Sequence, residues 1–254
     1  MAALVDRPAV LLVVLFALFI VAVAFGVFVL RRVSPVRADE RDDFNVVQGA
    51  TLTLLALLIG FSTSMAVNRY DQRKTLEEAE ANAIGTEFAR ADLVEPQIGD
   101  LMKLALVRYA RLRLTEFQTR DVDERKRLDG EIADLQSKLW QLTTQVAKTQ
   151  PTPIGSLVVA GMNDVLNSQD YSEAARINHI PTGAWVLMIL IALLGCAVQG
   201  YGAKGTRRTA LLMTILPVTI SLSLALIADI DSPQGGIIRV QPQNLARLLQ
   251  SIEK

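Results

Sequence analysis

Apolar residues along the chain gather in four blocks, and nearly all of the charge falls between them. A bilayer core about 30 Å thick needs roughly 20 residues of helix at about 1.5 Å rise each. Residues 9–30 run without a charge and stop at Arg31-Arg32. That run is longer than the apolar stretch of a cleaved leader, and no small-residue cleavage site follows it. It is therefore predicted to be a retained helix rather than a signal peptide. Residues 46–67 form the second span, less apolar, with Gln48, Gly49, Thr51, Thr53, Gly60, Ser62, Thr63 and Ser64 before it gives way to Asn68. Residues 182–200 form the third, opened by Pro181 at a helix start and by Trp185 at interface depth. Residues 209–230 form the fourth, with Pro217 in mid-span, where neighbouring Ser and Thr hydroxyls can bond freed carbonyls. The connections 31–45 and 201–208 are short, so the spans pair as two hairpins.

Between the hairpins the periodicity stays helical. Residues 68–94 continue the second span as a polar helix rich in Ala and Glu, and Pro96 restarts the chain. Leu101, Leu104, Ala105, Val107, Tyr109 and Leu112, with Arg108 among them, mark a further helix, mostly apolar on one side. Asp121 and Asp123 open another, in which Leu128, Ile132, Leu135, Leu139, Leu142 and Val146 alternate spacings of four and three. Such a heptad seam packs either within the chain, the reading preferred here, or against a second subunit. Pro151 and Pro153 end that helix, and residues 154–178 lead into the third span. No strand-like alternation of useful length is present. The expected architecture is all-α: a first hairpin over 1–68, a helical extramembrane region over 69–180, a second hairpin over 181–230 and a tail over 231–254.

Charge and composition narrow the chemistry. Lys plus Arg number 26 and Asp plus Glu 26, so the net charge is zero and no nucleic-acid partner is signalled. One cysteine, Cys196, and one histidine, His179, supply neither an intrachain disulfide nor a zinc ligand set. No phosphate loop, nucleophile elbow, zincin or dinucleotide motif occurs, so no enzyme, metal or cofactor is expected. Glu77, Glu78 and Glu80 read as a solvated helix face rather than a metal site, and Asp229 and Asp231 as helix-end residues rather than ion ligands. Sidedness is not set by charge. The hairpin connections carry Arg31, Arg32, Arg37, Arg41, Lys204, Arg207 and Arg208. The opposite side carries Arg7, Arg69, Arg73, Lys74, Arg176 and Arg239, and the density in the short connections leans toward those being cytoplasmic.

The second span carries the one pattern that suggests function. At 100° per residue Gly49, Thr53, Leu57, Gly60, Ser64, Asn68 and Asp71 share a stripe bordered by Phe61, while the remaining faces are mostly Leu, Ile, Ala and Val. A small, polar stripe serves either close helix packing or the wall of a water-filled path.

The run Leu57-Leu58-Ile59-Gly60-Phe61-Ser62-Thr63-Ser64-Met65-Ala66-Val67-Asn68-Arg69-Tyr70 resembles the second transmembrane helix of bestrophins. Its continuation through Asp71-Gln72-Arg73, Glu80-Ala81-Asn82-Ala83-Ile84-Gly85-Thr86 and Arg90-Ala91-Asp92 is similar to bestrophin-like bacterial membrane proteins. So are Asp229-Ile230-Asp231-Ser232-Pro233 and Gly236-Ile237-Ile238-Arg239-Val240 near the carboxyl end. This likeness covers most of the chain. It implies a homo-oligomeric, pentameric ion channel of the bacterial inner membrane, conducting small inorganic anions, with the termini and residues 69–180 in the cytoplasm. It also implies a constriction at Thr53, Leu57 and Phe61, a lining of Gly49, Gly60, Ser64, Asn68 and Asp71, and mouth charges at Arg69, Arg73 and Lys74. The chain departs from bestrophins in carrying Ser62 where a basic residue follows the Phe, and in lacking the acidic calcium clasp, so calcium gating is not implied. Asp71 also sits awkwardly in an anion path. The rival expectation is a non-conducting scaffold or sensor whose helical region binds a partner.

Overall fold

The structure, a computed structural model, describes residue 5 and residues 7–33, 36–37, 39–203, 207–233 and 235–253, with residues 207–210 as backbone alone. Lys204 and the side chains of Arg207 and Arg208 therefore lie outside the described residues, as do Ser34, Pro35 and Ala38 of the first connection. The described residues are mostly helical and contain no strand. The helices are α1 (Pro8–Phe25), α2 (Arg41–Arg90), α3 (Pro96–Gln118), α4 (Val122–Thr149), α5 (Pro153–Ile177), α6 (Thr182–Tyr201), α7 (Arg207–Asp231) and α8 (Gln243–Ile252). Four helical stretches are long and apolar enough to cross a membrane: Pro8–Val33, Arg41–Leu93, Pro153–Tyr201 and Leu211–Asp231. Two compact units emerge, Met1–Tyr70 with His179–Arg239 and Asp71–Asn178 with Val240–Lys254, and α2 contributes residues to both.

In the first unit α1 packs on α6 and α7. Leu11, Leu15, Phe19 and Val23 recur every four residues on α1 and meet Trp185, Met188, Ala192 and Cys196 of α6 and Ile220, Leu224 and Ile227 of α7 in one apolar cluster. Trp185 is turned into this cluster, only 2% exposed. A π-helical turn, Gly26–Leu30, continues α1. It brings backbone against backbone: a Cβ at Gly26 would lie 2.1 Å from the Ala197 carbonyl oxygen, and one at Gly200 would lie 2.1 Å from that of Val23. Helices without a hydrophobic driving force between them gain from such close approach. Around Pro217, hydroxyls of Thr214, Thr219 and Ser221 bond the carbonyls of Leu211, Ile215 and Pro217. Asp229 and Asp231 hold backbone. Asp229 accepts from the Ile237 and Ile238 N–H groups at 2.7 and 2.9 Å, and Asp231 accepts from Ile180 N–H at 3.1 Å.

The second unit is a helical assembly in which α3 packs on α4, α4 on α5 and α8 on α3. The heptad seam is consumed inside it. Leu128, Ile132, Leu135, Leu139, Leu142 and Val146 are all buried, and five of them, from Ile132 onward, join a cluster with Met102, Leu106, Tyr109, Val158, Met162, Val165 and Leu245. Helix α4 starts where its cap requires: Asp121 accepts from the Asp123 and Glu124 N–H groups. The buried face of α3 holds only part of the expected set, with Ala105 and Tyr109 buried. Leu101 and Leu104 are 49% and 70% exposed, while Ile98, Met102, Leu106 and Ala110 face inward. Arg113 lies on the same inward side and meets Glu80 and Glu116 there.

Candidate functional site

The apolar window of α2 is the least covered of the four spans, 17% buried against 28%, 33% and 39% for the others. Within the first unit one face of α2 is used. Leu55, Ser62 and Ala66 are buried, Leu52 lies against Gly195 of α6, and Phe44 meets the Tyr201 ring edge-on at 5.7 Å. The opposite face carries the stripe. Gly49, Thr53, Leu57, Gly60, Phe61, Ser64 and Asn68 are all exposed. A Cβ placed on Gly49 or Gly60 would meet nothing within 4 Å. Among the described residues no helix packs against Gly49 or Gly60, so these small residues serve no close approach there. Thr53 donates its hydroxyl to the Gly49 carbonyl at 2.9 Å.

The three basic residues at the end of the stripe differ. In the first unit Arg69 is partly covered, and among the described residues its buried Nε and Nη1 atoms have no hydrogen-bond partner. In the second unit Lys74 and Asp71 are exposed, but Arg73 is buried, 8% exposed.

The helical unit contains polar chemistry that sequence reasoning missed. Glu77 and Glu80 are not a solvated face; they are 1% and 0% exposed, and only Glu78 is open to solvent. Glu80 accepts from Nε and Nη2 of Arg113, the latter at 3.0 Å, and from the Ser172 hydroxyl at 3.1 Å. Arg113 also bonds Glu116, which faces Arg176 at 4.0 Å. Burial opposes a charge on Arg113, yet Glu80 and Glu116 hold its pKa above the ordinary arginine value. Burial pushes the Glu116 carboxyl up, against the pull of Arg113 and Arg176. Glu77 accepts from Asn244 N–H and Leu245 N–H, each at 3.0 Å, and from the Asn244 amide at 2.7 Å, so it caps the start of α8 from a remote helix. No signal short of the fold joins these residues. Among the described residues no group of three or more His, Cys, Asp or Glu side chains could hold a metal ion.

Four membrane-length helices together with a compact helical unit define a multi-pass integral membrane protein with an exposed, partly polar helix face. A family model, the bestrophin-like domain, matches residues 8–245, and the chain belongs to that family. Among curated proteins none matches the sequence. Solved structures resemble it over nearly the whole chain. A variant of a bacterial bestrophin homologue from Klebsiella pneumoniae superposes with a TM-score of 0.66 at 12% identity, covering 95% of this chain and 97% of that one. Another variant gives 0.65 at 13% identity over 97% and 98%, and a zinc-phased structure gives 0.64 at 14% over 96% and 94%. The fold is that of these bestrophin homologues.

Proposed function

We propose that this chain is one subunit of a bestrophin-type ion channel, a homopentamer in the bacterial inner membrane whose central path is lined by the outward stripe of α2 and carries small inorganic anions. The observation that carries this reading is the exposure of Gly49, Thr53, Leu57, Gly60, Phe61, Ser64 and Asn68 together on the least covered membrane helix. Polar groups at membrane depth are costly against lipid, so such a face is best satisfied around an axis shared by several subunits. Thr53, Leu57 and Phe61 are spaced four apart and stack over about 12 Å of helix rise. Rings of Leu57 and Phe61 would form a narrow apolar neck that gates by dewetting, with Thr53 at its mouth and Ser64 and Asn68 offering dipoles beyond it. The termini and the unit containing residues 71–178 are assigned to the cytoplasmic side on the family likeness. The basic connections of the hairpins lean the other way.

The test is flux. Purified protein in liposomes should pass chloride above blank vesicles, and native mass spectrometry in mild detergent should give one oligomer larger than a monomer. Monomer alone, or an intact oligomer with no flux of either anions or cations, would favour a non-conducting scaffold.

A further inference from the structure

The helical unit contains a carboxylate built unlike its neighbours. Glu87 of α2 is 0% exposed, and among the described residues neither of its oxygens has a hydrogen-bond partner. Glu77 has three donors, and Glu80 has Arg113 and Ser172. Glu87 has only Arg90 Nη1 as an ion-pair partner, 3.7 Å away and longer than a direct hydrogen bond. Arg90 is itself drawn aside toward the Leu157 carbonyl of α5, at 3.4 Å. Across from both stands Gly161 of α5. A Cβ there would lie 2.0 Å from Glu87 Oε2 and 2.1 Å from Arg90 Nη1, so the carboxylate and guanidinium rest against bare backbone. The charged groups facing Glu87 are Arg90 from α2 and Asp164 from α5.

We propose that Glu87, Arg90 and Gly161 form a proton-operated latch between α2 and α5: the neutral acid packs in this buried site and closes the contact, and the ionised carboxylate loosens it. A buried carboxylate without donors favours its neutral form. Burial raises the Glu87 carboxyl to about 7, with Arg90 pulling it down and Asp164 pushing it up. Because the pKa is raised on folding, the stabilisation is full below the ordinary carboxyl value of 4.5 and is lost as pH rises through about 7. The latch therefore operates across the neutral range, and it sits on the same helix that carries the outward stripe.

Amide hydrogen exchange on the full-length protein in nanodiscs, corrected for the intrinsic pH dependence of exchange, tests this. Opening of the segments covering residues 84–91 and 155–165 should increase about tenfold from about pH 6 to about pH 8 and then level off. Glu87→Gln, which mimics the neutral acid, should stay protected and flat across that range. Asp164→Asn lies at an exposed position and should move the midpoint to lower pH while the step persists, which keeps the test available if Glu87→Gln does not assemble. His179→Gln, at the one histidine of the chain, should leave the step unchanged. A flat wild-type profile, an unmoved midpoint in Asp164→Asn, or a step that disappears in His179→Gln and survives in Glu87→Gln would overturn the latch.

Discussion

Replacing Leu57 and Phe61 together by Ala separates a pore neck from ordinary packing. Large-to-small changes at buried sites typically cost about 2–5 kcal/mol each. Within this chain Leu57 is 53% exposed and Phe61 is 63% exposed, so less than half of either side chain is covered by its own subunit. Full burial of such a side chain is worth about 1.5–3 kcal/mol, which puts the loss inside the subunit at roughly 1 kcal/mol per residue. A single subunit should therefore fold almost as well as the parent. If the two side chains ring a central path, the oligomer survives and the passage widens, and flux into reconstituted vesicles rises, because a wider and less apolar neck no longer disfavours the water column. The assays are size by native mass spectrometry and chloride flux at matched protein-to-lipid ratio. An intact oligomer with unchanged or abolished flux would refute the neck. Loss of the oligomer at normal expression would show instead that these side chains pack between subunits.

Three further outcomes follow from the geometry. Arg113→Met strands Glu80 and Glu116, 0% and 5% exposed, without their shared cation. Breaking one member of such a buried ionic set costs about 3–5 kcal/mol, so thermal unfolding of the solubilised protein should fall by several degrees, and an unchanged midpoint would refute the ionic role. Glu77→Ala removes the acceptor for Asn244 N–H and Leu245 N–H. Exchange across residues 243–252 should accelerate at a cost of about 1–2 kcal/mol, and unaltered protection there would show that Leu245 and Leu249 alone hold α8. For sidedness, Lys138→Cys places a thiol at an exposed position, while the native Cys196 is buried. With the helical unit in the cytoplasm, an impermeant thiol reagent should label it only after cells are opened, and labelling of intact cells would reverse the assignment.

Much of the architecture was legible along the chain because a bilayer imposes a length and composition rule that acts locally. The apolar blocks, the helical continuation of the second span past Asn68, the restart at Pro96 and the cap at Asp121 all depend on residues close in sequence. The polar stripe of α2 was visible for the same reason, since its spacing is a property of one helix. Which side of each helix faces inward was decided elsewhere. Glu80 is buried because Arg113, 33 residues away, reaches it, and Glu77 because α8 arrives 167 residues later with unsatisfied N–H groups. Leu101 and Leu104 helped mark α3 as a helix apolar on one side, yet they stay exposed while Ala105 and Tyr109 of the same set are buried, and Arg113 meets its carboxylates. The seam of α4 could have served a second subunit until α3 and α5 were found to fill it. A charge or a methyl group carries no record of its future neighbour. Burial of either is favourable only once a remote partner supplies the matching donor or surface, and that pairing is made in three dimensions.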